Sequence, residues 1–139
     1  MALSDAQLDL LVDPNKEKEY IETFLSVESE DEGLVPWRLT QQQEAILDSM
    51  KTLRKLCIVK GRQTRCSTIL MAKAVRKATL VDGMNFVIIT QTKEMTQNFQ
   101  TFIKRRFEDL ENVLGQSFEF GLNNENVLEL NRRRNRFFF

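Results

Sequence analysis

The sequence predicts an α/β domain built on a parallel sheet, and three observations predict it. Two continuous apolar runs, Lys55-Leu56-Cys57-Ile58-Val59 and "NFVIIT" (85–90), have the length and β-branched content of strands buried on both faces. Segments of helical periodicity follow each run. A strand–helix–strand progression closes right-handed into parallel pairing.

The elements read in order as follows. Leu8, Leu10 and Leu11 ahead of Asp13-Pro14 predict a short helix ended by proline. "NKEKEYIETFLSV" (15–27) spaces Tyr20, Ile21, Phe24 and Leu25 for a second amphipathic helix. "ESEDEG" (28–33) reads as a polar loop, and "LVPWRL" (34–39) as a short extended piece, because Pro36 biases its predecessor away from helix. Thr40 is placed to cap the next helix, with Gln43 at the capping-box position and Ala45, Ile46, Met50 and Leu53 on its buried face. After the run 55–59 comes a basic loop, then a helix from about Ser67 to Leu80. Asp82-Gly83 is a turn before the second run. A helix over about 93–111 carries Met95, Phe99, Phe102, Ile103, Phe107 and Leu110 on its core side. "SFEFGL" and "VLELN" predict two short strands around Asn123-Asn124. The end of the chain, Asn131 to Phe139, combines arginines with three phenylalanines, and its exposed-looking Phe137-Phe138-Phe139 predicts a disordered or non-native end.

Composition narrows the chemistry. At 139 residues the chain suits one domain and can bury a core. No apolar run approaches a membrane span and no leader pattern is present, so the expected location is the cytoplasm. The two cysteines, Cys57 and Cys66, are too few for a disulfide framework, and with no histidine a zinc site is not expected. The lack of histidine also excludes Ser-His and Cys-His nucleophile arrangements. Net charge is zero, but ten acids and two lysines fall within residues 1–33, leaving a body from residue 34 with 18 basic and 10 acidic side chains. An acidic helical arm ahead of a basic body points to an anionic partner such as nucleic acid or nucleotide. Lys104-Arg105-Arg106 and Arg132-Arg133-Arg134 are candidate contacts to a DNA backbone, and equally a solvated surface.

The loop "KGRQTRCST" (60–68) is where the chemistry concentrates. A loop between a strand and a helix offers phosphates backbone N–H groups and the positive end of a helix dipole. A Ser or Thr at the helix start can hold a nucleotide-bound magnesium ion. The strict motif places a glycine seven residues before that Ser/Thr, and a Gly-Lys pair immediately before it. Counting from Gly61 reaches Thr68, and counting back from Ser67 reaches Lys60, so spacing alone does not choose a register. With Ser67 as the ligand, Arg65 stands in the place of the second glycine and Cys66 in that of the lysine. Lys60, Arg62 and Arg65 could supply the charge from nearby.

The loop resembles the Walker A segment of phage large terminase subunits, the motors that package viral DNA. That segment is often Lys-Ala/Gly-Arg-Gln-x-Gly-x-Ser-Thr, and Lys60, Gly61, Arg62, Gln63, Ser67 and Thr68 match it. The resemblance favours Ser67 as the magnesium ligand and tolerates Cys66, but not Arg65, against its usual pattern. "YIETFLSV…GLVPWRLTQQQEAIL" is similar to the family's lead-in, whose adenine-reading glutamine falls on Gln43. "NFVIITQTKEMTQNFQTFIKRRFEDL" and "NENVLELN" resemble later segments, so the likeness runs over about residues 18–139.

The resemblance implies a P-loop NTPase fold of the RecA/ASCE-like kind, ATP held with Mg2+ by Gln43 and residues 60–68, and double-stranded DNA, a small terminase subunit and a portal as partners. Of the site, Thr64 completes the loop without a matched role. The family's Walker B strand ending in Asp-Glu has no counterpart here. Glu108-Asp109 and Glu111 fall on a helix. The expectation is an incomplete ATPase core, from a truncated or split protein, that binds nucleotide with little hydrolysis alone. The competing expectations are a helicase-like ATPase fragment and a non-catalytic module binding DNA or a partner protein.

Overall fold

A computed structural model describes residues 3–59 and 65–139. Among them are five helices and a mixed sheet. Helix α1 (Asp5–Val12) starts with a capping box between Ser4 and Gln7 and stops before Pro14. Helix α2 (Glu17–Phe24) buries Tyr20, Ile21 and Phe24 at the expected spacing. Beyond it the chain does not loop as expected. Strand β1 (Ser26–Ser29) turns back on β2 (Gly33–Pro36) in an antiparallel hairpin, with Gly33 at φ 75° in the turn. The acidic residues 30–32 form its tip.

Helix α3 (Gln41–Thr52) is capped as predicted, with Thr40 Oγ1 accepting from the Gln43 N–H and Gln43 Oε1 accepting from the Thr40 N–H. Helix α4 (Cys66–Leu80) and helix α5 (Lys93–Leu114) pack against each other, and both contribute to the core. Strand β3 (Asn85–Val87) lies between them in sequence. Strands β4 (Phe120–Asn123) and β5 (Val127–Leu130) form the predicted hairpin.

Further expectations are corrected. Ala45 and Leu53, expected on the buried face of α3, are exposed, and Leu47 is buried there instead; Met95, expected on the core side of α5, is exposed as well. The run 55–59 forms no strand: Cys57 is exposed and Val59 is 96% exposed. Without it, the strand–helix–strand unit expected around α4 does not close into a parallel pair. The run 85–90 is not buried on both faces, since Val87 and Ile89 point to solvent, with Ile89 91% exposed. The three final phenylalanines are ordered, with Phe137 buried and Phe138 and Phe139 half-buried. Arg136–Phe138 forms strand β6 inside a four-stranded sheet of order β3-β6-β5-β4, parallel to β3 and antiparallel to β5. Phe137 is 0% exposed, stacked 4.7 Å from Phe86, and Phe107 of α5 meets it edge-on at 6.0 Å. Burying these rings is what makes the last strand order.

Asn135 locks that strand to the helices. Its Nδ2 donates to Ala78 O at the end of α4, and its Oδ1 accepts from the Met84 N–H. A fully buried amide is tolerated because both of its ends are satisfied.

The acidic arm packs into the same core as the body. Glu17 is buried against Lys73, with oxygen–nitrogen distances of 2.8 and 2.9 Å, and lies 4.0 Å from Arg76. Arg76 donates to the carbonyls of Leu10 and Asp13 and lies 5.0 Å from the centre of the Tyr20 ring. Its cation therefore meets the negative end of α1.

Two outcomes test this packing. Cys57 should alkylate quickly in the native protein while Cys66, buried, reacts only on unfolding; equal protection of both thiols would contradict the exposed run. Burial pushes the Tyr20 phenol well above its usual value of 10.0, against the pull of the Arg76 charge. A folded-state pKa raised above the unfolded one gives stability that is complete below about pH 10 and is lost as pH rises beyond it. Tyr20→Phe should match the wild type in urea denaturation near neutrality and lose less stability above about pH 10. An identical alkaline decline in both would contradict this.

Candidate functional site

Of the loop, Lys60, Gly61, Arg62, Gln63 and Thr64 lie outside the described residues, so the site is built from Arg65 onward. Arg65 is the N-cap of α4 and has φ 50° and ψ 29°, in the left-handed region. A side chain with a Cβ pays roughly 1–2 kcal/mol there, whereas glycine does not. This is the position at which the Walker A pattern carries its second glycine. The backbone thus takes the glycine conformation although the residue is arginine.

Gln43 holds that turn. Its side chain is 1% exposed, and its Nε2 donates to the Arg65 carbonyl at 3.3 Å while its Oε1 serves the capping box of α3. Both ends of the amide are engaged, so an adenine reading at Gln43 requires these contacts to be exchanged. The arrangement joins the start of α3 to the start of α4.

The Arg65 side chain makes no capping hydrogen bond to α4. The first N–H groups of a helix lack partners within it. A 15-residue helix therefore turns its positive end toward this turn, with Ser67 and Thr68 in its first residues. Ser67 is exposed, Thr68 half-buried, and Cys66 buried. A phosphate fits this chemistry. Magnesium fits it only through a nucleotide, with Ser67 as the protein ligand, because no group of three Asp, Glu, Cys or His side chains gathers among the described residues.

The basic run on α5 is divided by the fold. Lys104 is half-buried and Arg105 pairs with Glu28 on β1. Arg106 is only 1% exposed and offers no surface to a DNA backbone. Its Nη1 donates to Ser26 O, and its Nε lies 3.1 Å from Asp109 Oδ2 at an angle short of a hydrogen bond. Burial lowers the Arg106 pKa from its usual value, with Asp109 opposing. Asp109 in turn accepts from the Ser26 N–H and Oγ at 3.0 Å. The Arg106/Asp109 spacing of three on one helix was the available signal for this pair.

At the chain end Arg132 and Arg134 are exposed, Arg133 pairs with Asp82 at 3.2 Å, and Arg134 has φ 55° in a turn before β6. No described helix is long and apolar enough to cross a membrane.

A cleft of about 480 Å3 lies beside the start of α4. Arg65 and Thr68 line it from α4, Asn98, Thr101, Arg105 and Arg106 from α5, and the β1–β2 hairpin closes it. Sequence reading separated these groups because they sit about 35 residues apart and on different elements.

Compared with known proteins, the chain matches no family model and no curated protein. Fold and site define a mixed α/β protein with a polar helix start beside a cleft lined by arginines.

Arg65→Gly should raise stability by about 1 kcal/mol by removing left-handed strain, since the turn is already in place. Chemical denaturation checks this, and a loss of stability on substitution would show that the Arg65 side chain contributes more than its strain costs.

Proposed function

We propose that this chain binds ATP through residues 60–68, as part of a viral DNA-packaging motor of the terminase large-subunit kind, and that its α/β body is part of a P-loop NTPase domain. The observation that carries the reading is the backbone of Arg65. The residue that breaks the sequence motif adopts the conformation the motif's glycine supplies, directly ahead of a helix whose first hydroxyl residue is Ser67. A phosphate approaching the start of α4 meets N–H donors, the helix dipole and the basic residues of the cleft. Ser67 takes the nucleotide's magnesium.

Hydrolysis needs more than this. Catalysis of phosphoryl transfer rests on a metal-holding acid and a group that positions water. Asp109 is committed to Arg106 and Ser26, and Glu111 accepts from the Phe118 N–H. The chain alone therefore binds nucleotide with little turnover. Double-stranded DNA, a small terminase subunit and a portal would be partners of the motor, and of the two basic runs Arg132 and Arg134 are the exposed cations with no ion pair among the described residues.

MgATP at about a hundred times its Kd should stabilise the chain by about 2.7 kcal/mol, read as a rise in Tm. Ser67→Ala should remove the magnesium dependence of that rise, and steady-state phosphate release should stay at background. No thermal shift with any nucleotide would reject the proposal, and magnesium-dependent turnover by this chain would reject its inactive part.

A further inference from the structure

The loop carries Cys66 where the Walker A pattern has lysine, and Cys66 is buried, so the cation that meets the phosphates must come from elsewhere. Arg65 and Arg105 reach the same cleft as Thr68, from different helices. Its wall is fixed. Trp37 and Phe102 meet edge-on at 6.0 Å, and the Arg106 guanidinium lies 4.7 Å from the centre of the Phe102 ring. With Arg106 tied to Ser26 and Asp109, Arg105 is the exposed cation of this wall. Its ion-pair partner among the described residues is Glu28, whose side chain is itself more than half exposed.

We propose that the cleft is a binding site for phosphate-bearing anions, in which Arg105 takes the part of the missing lysine and Glu28 occupies it as an internal anion until the ligand displaces it. An exposed carboxylate–guanidinium pair is weak and screened by water. A polyphosphate brings several charged oxygens and can bond guanidinium groups in bidentate fashion, so it outcompetes a single carboxylate. Thr68, Asn98 and Thr101 add hydroxyl and amide groups to the same wall. Glu28 sits on the β1–β2 hairpin, so displacing it also frees the hairpin tip. The inference rests on the nucleotide reading for the identity of the anion, and on the cleft alone for anion binding.

Isothermal titration of the 139-residue chain with inorganic pyrophosphate, and with MgATP as competitor, tests it. Arg105→Ala should weaken pyrophosphate binding about tenfold, as expected for a lost charge-assisted contact. Arg105→Lys should restore part of it, and Glu28→Gln should tighten it roughly threefold by removing the internal competitor. Wild-type affinity for pyrophosphate and ATP in Arg105→Ala would overturn the inference and leave the nucleotide reading standing. Arg105-dependent pyrophosphate binding that ATP does not compete with would support the cleft and reject the nucleotide reading. Failure of the wild type to bind pyrophosphate would overturn the cleft, whatever ATP does.

Discussion

The pairing of buried Arg106 with half-buried Asp109 is the constraint on which the site depends. Both side chains belong to α5, and both spend their polar groups on Ser26, whose N–H, Oγ and carbonyl are all engaged. Removing one partner of such a pair costs about 3–5 kcal/mol, because a buried charge is left uncompensated. The pair thereby fixes the start of β1 on α5 and sets Glu28 opposite Arg105. Trp37, which follows the hairpin, donates from its backbone to Leu25 O at 3.2 Å and closes the same corner. The cleft exists because the hairpin is held there.

Arg76 performs the equivalent work at the other end of α4. It is buried, accepts the charge of Glu17, and supplies hydrogen bonds to the carbonyls at the end of α1. Two helix arginines thus attach the acidic first quarter of the chain to the helices of the body. The electrostatic asymmetry of the sequence is part of the fold: Glu17 meets Lys73, Glu28 meets Arg105, and Lys18 meets Glu44. Only the first of these is well buried, and it carries the most weight.

What the sequence disclosed follows the range of the interactions. The capping box at Thr40, the core face of α5 from Phe99 to Leu110 and the β4–β5 hairpin depend on residues within a few positions, and local pattern reveals them. The burial of Phe137 depends on Phe86 and Phe107, far away along the chain, so the tail looked exposed. The run 55–59 has the composition of a strand, but a strand forms only where an edge receives it. The hairpin at 26–36 was hidden by its acidic tip, although Gly33 supplies the turn. At the site, the start of α4 was legible from the Ser-Thr pair, whereas the lining of one cleft by Arg65 and Arg105 is a tertiary fact. Arg65 is the instructive residue. Its identity departs from the motif, while its backbone takes the left-handed conformation that glycine adopts without strain.

The proposed site requires an anion on the first turn of α4. Amide chemical shifts recorded during a titration with MgATP decide whether one binds there. Ser67 and Thr68 should shift first and together, with Arg105 following. Shifts confined to the exposed arginines at 132–134, or no shift at the start of α4 at saturating nucleotide, would contradict it.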